Sequence, residues 1–161
     1  MTAEEAIDHA AQAMLDRGMP GIAIAVSRGG RTVFSRGYGI ANIEDGVQVT
    51  PDTVFQLASV TKQFTAAAIL SLVQEGRIGL DDPLSRYVRE MPKARRITIR
   101  QLLIQTSGVH NFTDDAEGLR TKSVDRSPAE MLDWIAHLRP TLVFRPGSRW
   151  AYSNSNYVLL G

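Results

Sequence analysis

The sequence predicts an α/β (α+β) fold, and three observations lead to that prediction. Residues 1–50 combine a helical segment with two β-rich runs. From residue 51 onward the pattern is mainly helical and contains one long apolar helix. The chain has 161 residues, 43% of them hydrophobic and 22% charged, which suits one domain with its own core. We therefore expect a single domain over 1–161, with a helix and hairpin in 1–50 and a mainly helical part in 51–161.

The N-terminal part is predicted to fold as helix, strand, strand. Thr2 and Glu5 form a capping box that begins the helix, and Gly18 provides its stop signal. The runs "GIAIAVSR" and "RTVFSRGYGIA" are β-rich, and Gly29 and Gly30 between them suit a two-residue hairpin turn. No later segment has a clear strand pattern. Because a lone two-stranded hairpin is marginally stable, we expect this one to need further strands or packing helices.

The part from residue 51 is predicted to alternate helices and loops. The segment "SVTKQFTAAAILSLVQEG" reads as a helix ending at Gly76, and its apolar character on nearly all sides predicts a buried central helix. Thr98 and Gln101 cap a short helix, and Ser127 followed by Pro128 begins another. The final stretch "RPGSRWAYSNSNYVLLG" is expected to form a turn, an extended piece and the start of a last helix.

Composition excludes several classes of function. The net charge of +1 comes from 18 basic and 17 acidic residues that are scattered along the chain, so nucleic acid is not expected as a partner. The absence of cysteine rules out disulfides, thiolate nucleophiles and thiolate zinc sites. The three histidines lack metal-ligand spacing, so we expect neither a metal nor another cofactor. No apolar run approaches the ~20 residues that span a bilayer.

The N-terminal segment also bears on location. "MTAEEAIDHAAQAMLDRG" is an amphipathic helix with acidic residues, and it lacks the basic start and apolar run of a signal peptide. The compartment is therefore open. As written the sequence suits a cytoplasmic protein, whereas removal of a leader would make it periplasmic or secreted.

The pair Ser59 and Lys62 is the first candidate for chemistry. At positions i and i+3 the two side chains lie on the same side of a helix. A serine near a helix N-terminus lies close to unpaired N–H groups, which stabilise developing negative charge. Partial desolvation would favour the neutral form of the lysine, which can accept the serine proton. A chance pair, or a lysine that extends to solvent, is the alternative explanation.

Tyr152 and Asn154 form the second candidate. Residues two apart in an extended segment face the same way, so both side chains can point into one cleft. A phenolate is favoured beside an ammonium group and can act as a general base, while an amide can bind a substrate carbonyl and a lysine together. Taken alone, the two residues also suit an ordinary turn. No G-x-S-x-G elbow occurs, so a Ser-His-Asp hydrolase is not expected.

Three ordered segments carry a resemblance to a known family. "FQLASVTKQFTAAAILSLVQEGRIGLDDPLSRYV", "ITIRQLLIQTSGV" and "PGSRWAYSNSNYVLLG" resemble the serine β-lactamase-like superfamily of class C β-lactamases, D-alanyl-D-alanine carboxypeptidases and related esterases. The resemblance covers about residues 20–161 and implies a β-lactamase/transpeptidase-like fold. It implies Ser59 as the acylated nucleophile, Lys62 and Tyr152 as its proton-transfer pair, and Asn154 as a substrate contact. A β-lactam, a D-Ala-D-Ala peptide or a small ester is the implied substrate.

The sequence also departs from that superfamily. The third motif of the superfamily is Lys or His followed by Ser or Thr and then Gly. This motif is absent here, since neither Lys93 nor Lys122 begins such a pattern. We therefore expect a truncated, N-terminal portion of the fold. A catalytically silent remnant, binding an acyl ligand or serving in assembly, is the alternative function, and a homo-oligomer or a complementing C-terminal fragment is the expected partner. Gln105 replaces a common histidine and is expected to be structural. His110 and Asn111 are expected in a surface loop, with a place at the mouth of the cleft as the alternative.

Overall fold

The structure is a computed structural model that describes residues 1–120 and 124–161. The described chain divides into two compact units, residues 1–56 and residues 57–161. The first contains one helix and a small sheet, and the second contains the remaining helices. This mixture of helix and sheet confirms the predicted fold class. Lys122 lies outside the described residues.

The N-terminal unit begins with helix α1 (Ala3–Leu15), and the predicted capping box of Thr2 and Glu5 is present. Strands β1 (Gly21–Arg28) and β2 (Arg31–Asn42) pair antiparallel. Gly29 and Gly30 join them with φ values of 57° and 76°. These positive φ angles are the ones that a tight two-residue turn requires, so the hairpin prediction is confirmed.

The hairpin gains a third strand that has no clear pattern in the sequence. A short strand β3 (Val47–Gln48) pairs antiparallel with the end of β2, giving the order β1-β2-β3. The chain reverses direction beside Asn42, whose side chain accepts from the backbone N–H of Asp45 and donates to the Asp45 carboxylate. Two residues are too short a run to show an alternating pattern, so the sequence did not reveal β3.

The C-terminal unit contains five helices among its described residues: α2 (Thr61–Gln74), α3 (Ile99–Leu103), α4 (Ala116–Arg120), α5 (Pro128–His137) and α6 (Asn154–Val158). The predicted capping boxes at the starts of α3 and α5 are both present. The core includes side chains from the 84–109 segment, α5 and the end of the chain, among them Leu84, Ile97, Leu102, Ile135 and Leu159. Hydrophobic burial of this set stabilises the unit.

Helix α2 is not the buried helix that its composition predicts. Only Ile69 on it is buried, with 7% of its surface exposed, whereas Phe64 is 60% exposed and Leu70 is 50% exposed. Ile69 is the α2 residue that belongs to the buried core cluster, whereas Ala66, Leu72 and Val73 are only partly buried. The prediction of burial from the apolar composition of α2 is therefore wrong.

The described residues also bear on two expected absences. Their helices include none that is long and apolar enough to cross a membrane. Within the same residues there is no group of three or more side chains that could hold a metal ion.

Candidate active site

Ser59 lies in a 3₁₀ turn (Ala58–Val60) that leads directly into α2. Its side chain is exposed. The preceding residue, Ala58, has φ = 45°, in the left-handed region that favours glycine. Strained backbone of this kind occurs preferentially at functional sites. The local backbone thus presents Ser59 at the start of α2, where the sequence predicted it.

Lys62 lies in the first turn of α2 and is partly buried. Its Nζ donates to Oγ of Ser59 at 3.1 Å and to Oδ1 of Asn154 at 2.8 Å. The ammonium group also lies 5.1 Å from the ring centroid of Tyr152 and 5.7 Å from that of Tyr157. The lysine therefore faces the serine and not open solvent, which excludes the explanation that it only extends to water.

Tyr152 completes the cluster. Its Oη lies 2.6 Å from Oγ of Ser59 and donates to Oδ1 of Asn154 at 3.1 Å. Burial by itself would raise the pKa of the Tyr152 phenol. Hydrogen bonds with Lys62 and Ser59, together with the lysine charge, outweigh burial and bring this pKa below its usual range. The structure thus places all four predicted residues together, although about 90 positions separate the two pairs in the chain.

Comparison with known proteins identifies the family of the chain. The beta-lactamase family matches residues 6–161. The chain belongs to the beta-lactamase family. It is therefore a member of a serine hydrolase superfamily, as the resemblance of the three ordered segments implied.

Three relatives illustrate the similarity. Protein flp of Staphylococcus aureus (strain NCTC 8325 / PS 47) is 35% identical over 167 residues, covering 98% of this chain and 32% of flp. An octameric penicillin-binding protein homologue from Pyrococcus abyssi superposes with a TM-score of 0.84 at 32% identity, covering 100% of this chain and 38% of that one. D-amino acid amidase from Ochrobactrum anthropi SV3 has a TM-score of 0.84 at 30% identity, covering 98% and 43%. The chain thus spans less than half the length of each of these relatives.

Two antiparallel segments of backbone place Tyr152 in this cluster, with Val109 and Leu142 as a bridged pair. The N–H groups of Val143, Gly147 and Ala151 donate to carbonyl oxygens of residues 108, 106 and 105 at 2.8, 2.8 and 3.0 Å. These bonds hold the 141–151 segment against the 105–110 segment, and α6 follows directly. This pairing is not predictable from the sequence, because the contacts are non-local and involve loop residues.

The side chain of Gln105 holds the segment 152–156 in place by hydrogen bonds. Its side-chain oxygen accepts from the backbone N–H of Ser153 at 3.0 Å and from Nδ2 of Asn156 at 2.6 Å. Oδ1 of Asn156 in turn accepts from the hydroxyl of Ser107. Gln105, Ser107 and Asn156 are all buried. The structural role expected for Gln105 is therefore confirmed, and its contacts explain why the position is polar although buried.

The loop that follows contacts the site more closely than the sequence predicted. Asn111 is 8% exposed, and its Oδ1 accepts from the backbone N–H of Asn154 at 2.9 Å. Thr113 Oγ1 accepts from Nδ2 of Asn154 at 3.0 Å. The expectation that Asn111 lies in a surface loop is therefore wrong. The alternative, that Asn111 lies at the mouth of the cleft, is closer to its observed contact with Asn154, whereas Thr113 was missed because its partner lies 41 residues away.

A cavity of about 290 Å³ adjoins Lys62 and the start of α2. Its lining is mainly apolar and includes Phe112, Tyr157 and Val158, with the polar atoms of Lys62 and Asn154 at one edge. Burial and the nearby Tyr152 raise the pKa of Tyr157, so its phenol stays protonated over the ordinary pH range. The site therefore combines a hydroxyl that can be deprotonated with an adjoining apolar space.

Proposed function

We propose that the chain carries the acyl-transfer site of a serine hydrolase, with Ser59 as the nucleophile. The observation that supports this proposal is that Ser59 Oγ lies within hydrogen-bond distance of both Lys62 Nζ and Tyr152 Oη. A serine hydroxyl is a weak nucleophile until an adjacent base removes its proton. Two such groups meet at this one oxygen, which distinguishes Ser59 from the other serines described.

In the proposed reaction Ser59 Oγ attacks the substrate carbonyl, and its proton passes to Tyr152 Oη. The positive charge of Lys62 stabilises the phenolate that accepts this proton. The bond between the carbonyl carbon and the leaving group then breaks, and the same proton goes to the leaving group. Water attacks the ester formed on Ser59, releases the acid and restores the hydroxyl. Asn154 is proposed to bind the substrate while it holds Lys62.

The proposed substrate is an acyl compound: a β-lactam, a D-Ala-D-Ala peptide or a small ester. Each presents a carbonyl with a leaving group, so the same apparatus attacks all three, and pocket shape decides between them. A D-amino acid amide joins this set, because the amidase from Ochrobactrum anthropi SV3 shares the fold at 30% identity over 98% of the chain.

The test is covalent labelling of the 161-residue chain. The folded chain is incubated with a labelled penicillin, a fluorophosphonate, a p-nitrophenyl ester and D-phenylalanine amide, and adducts and products are followed by mass spectrometry. We expect an adduct on Ser59 or turnover with at least one probe. Ser59→Ala is the control, and Ser148→Ala is its match at another exposed serine that contacts only a backbone carbonyl.

Two results separate this proposal from its alternative. Labelling that Ser59→Ala abolishes and Ser148→Ala preserves supports a serine hydrolase. A folded chain that forms no adduct and no product with any probe contradicts the proposal. Reversible binding of the penicillin under those conditions would instead favour the catalytically silent, acyl-binding function.

A further inference from the structure

The turn at residues 111–114 binds both the backbone and the side chain of Asn154. Asn111 Oδ1 accepts from the Asn154 N–H at 2.9 Å, and Thr113 Oγ1 accepts from Asn154 Nδ2 at 3.0 Å. On the opposite side, Asn154 Oδ1 accepts from Lys62 at 2.8 Å and from Tyr152 at 3.1 Å. Both lone pairs of the Asn154 oxygen are thus used, and the turn supplies an acceptor for one of the two N–H bonds of its NH₂ group.

The chemistry of these partners fixes which way each amide points. A lysine ammonium only donates hydrogen bonds, so the oxygen of Asn154 has to face Lys62 and its NH₂ group has to face an acceptor. Thr113 supplies that acceptor. Asn111 is fixed in the same manner, because its Nδ2 donates to the Asp114 carboxylate at 2.7 Å and its oxygen is left for the Asn154 N–H. Rotation of the Asn154 amide would bring its NH₂ group against the ammonium.

We infer that Thr113, backed by Asn111, is a positioning residue that holds the side-chain oxygen of Asn154 on Lys62. This inference rests on the proposed function, since the reaction it serves is the acylation of Ser59. Lys62 bridges Ser59 and Asn154, so the placement of its ammonium group depends on the acceptor at Asn154. Loss of that acceptor geometry displaces the group that assists the nucleophile.

The first measurement does not depend on activity. Thr113→Val keeps the shape of the side chain and removes the acceptor, whereas Thr113→Ser keeps the hydroxyl. In asparagine-¹⁵N-labelled protein, exchange of the side-chain NH₂ protons with water is followed by NMR for Asn154 and, as an internal reference, for Asn156. Asn156 is 1% exposed and donates to Gln105, so it reports the packing of the same helix. We expect about tenfold faster exchange at Asn154 alone in Thr113→Val, the value of one hydrogen bond.

The second measurement is the rate at which Ser59 is acylated by the probe that labels the wild-type chain. In Thr113→Val we expect the rate at saturating probe to fall by about 10- to 100-fold, with the half-saturating concentration changed less than about twofold. Thr113→Ser should restore both the exchange protection and the rate. A purely structural threonine would not produce this division between rate and binding.

Each other outcome overturns the inference. Unchanged exchange at Asn154 in Thr113→Val would show that the hydroxyl is not its acceptor. Faster exchange at Asn156 as well would show a packing role, and faster exchange at Asn154 with an unchanged acylation rate would show that the contact has no consequence for the reaction. If no probe labels the wild-type chain, the proposed function fails. If the wild-type chain and the Thr113 variants are labelled at equal rates, only the inference about Thr113 fails.

Discussion

The two sides of the candidate site are built differently. On the Tyr152 side, Ser153, Ser155 and Asn156 are buried, and the 105–114 segment binds the backbone or side chains of residues 151–156 through hydrogen bonds. On the Ser59 side, the proposed nucleophile lies in one exposed 3₁₀ turn, and the helix that follows buries only Ile69. The Tyr152 side is thus held by many hydrogen bonds, and the Ser59 side by few.

This difference separates stability from chemistry in the site. Buried hydrogen bonds around α6 are costly to break because each leaves an unsatisfied polar group. Side chains on the exposed faces of α2 contribute little to folding, since water already surrounds them. Substitution of Lys62 on α2 is therefore expected to change the reaction with little change in stability, and substitution of the buried Asn156 in α6 is expected to do the reverse.

The largest effect is expected for Lys62→Met, which keeps the length of the side chain and removes the charge. The variant loses the donor to Ser59 and the stabilisation of the Tyr152 phenolate, so the rate of Ser59 acylation should fall by about 10³-fold. The melting temperature should change little. Lys93→Met, at an exposed position outside the cluster, is the control. An acylation rate in Lys62→Met close to that of the wild type would contradict the proposed proton-transfer role.

The second effect concerns the α6 side. Asn156→Ala removes the partner of the buried Ser107 hydroxyl and one donor to Gln105, so the free energy of unfolding should fall by about 2–4 kcal/mol. Chemical denaturation of the two proteins measures this difference. Gln74→Ala, an exposed polar position at the end of α2, should cost less than about 0.5 kcal/mol. An equal loss of unfolding free energy in Asn156→Ala and Gln74→Ala would show that the two sides of the site do not differ in their contribution to stability.

The sequence predicted features that depend on neighbours in the chain. The caps at Thr2, Thr98 and Ser127 and the Gly29-Gly30 turn follow from residues within a few positions of each other, and the structure confirms them. The joint placement of the four site residues came from the family resemblance of three ordered segments. Their spacing suggested the chemistry but not the distance of Tyr152 from Ser59.

The contacts that the sequence could not predict are non-local. Asn111 and Thr113 reach Asn154 across more than 40 residues, and nothing in the loop "VHNFTDD" marks them as partners. The exposure of α2 was mispredicted for a related reason. Apolar residues on nearly all sides of a helix show that it is able to be buried. Burial also requires a neighbouring surface, which the helix's own residues do not encode.

The third effect is the pH dependence of acylation. Because the pKa of Tyr152 lies below its usual range, its phenolate forms at a lower pH than that of an ordinary tyrosine. The rate should rise about tenfold per pH unit up to this pKa and level off above it, and the plateau should begin below the ordinary tyrosine value of ~10. Stopped-time labelling across pH measures the profile. A Tyr152→Phe chain that keeps the same rising limb would contradict the assignment, whereas Tyr157→Phe should leave the limb in place.

The smallest effect is expected within α2 itself. Phe64→Ala should change the free energy of unfolding by less than about 0.5 kcal/mol, because the side chain is 60% exposed, whereas Ile69→Ala should cost about 2–4 kcal/mol at its buried position. Denaturation at two protein concentrations, with light scattering, checks both values. If Phe64→Ala proves costly only at high concentration, a second copy covers this face in solution, and the exposed face of α2 is an association surface. If the cost is small at every concentration, the face stays in water and the contrast between the two sides of the site holds.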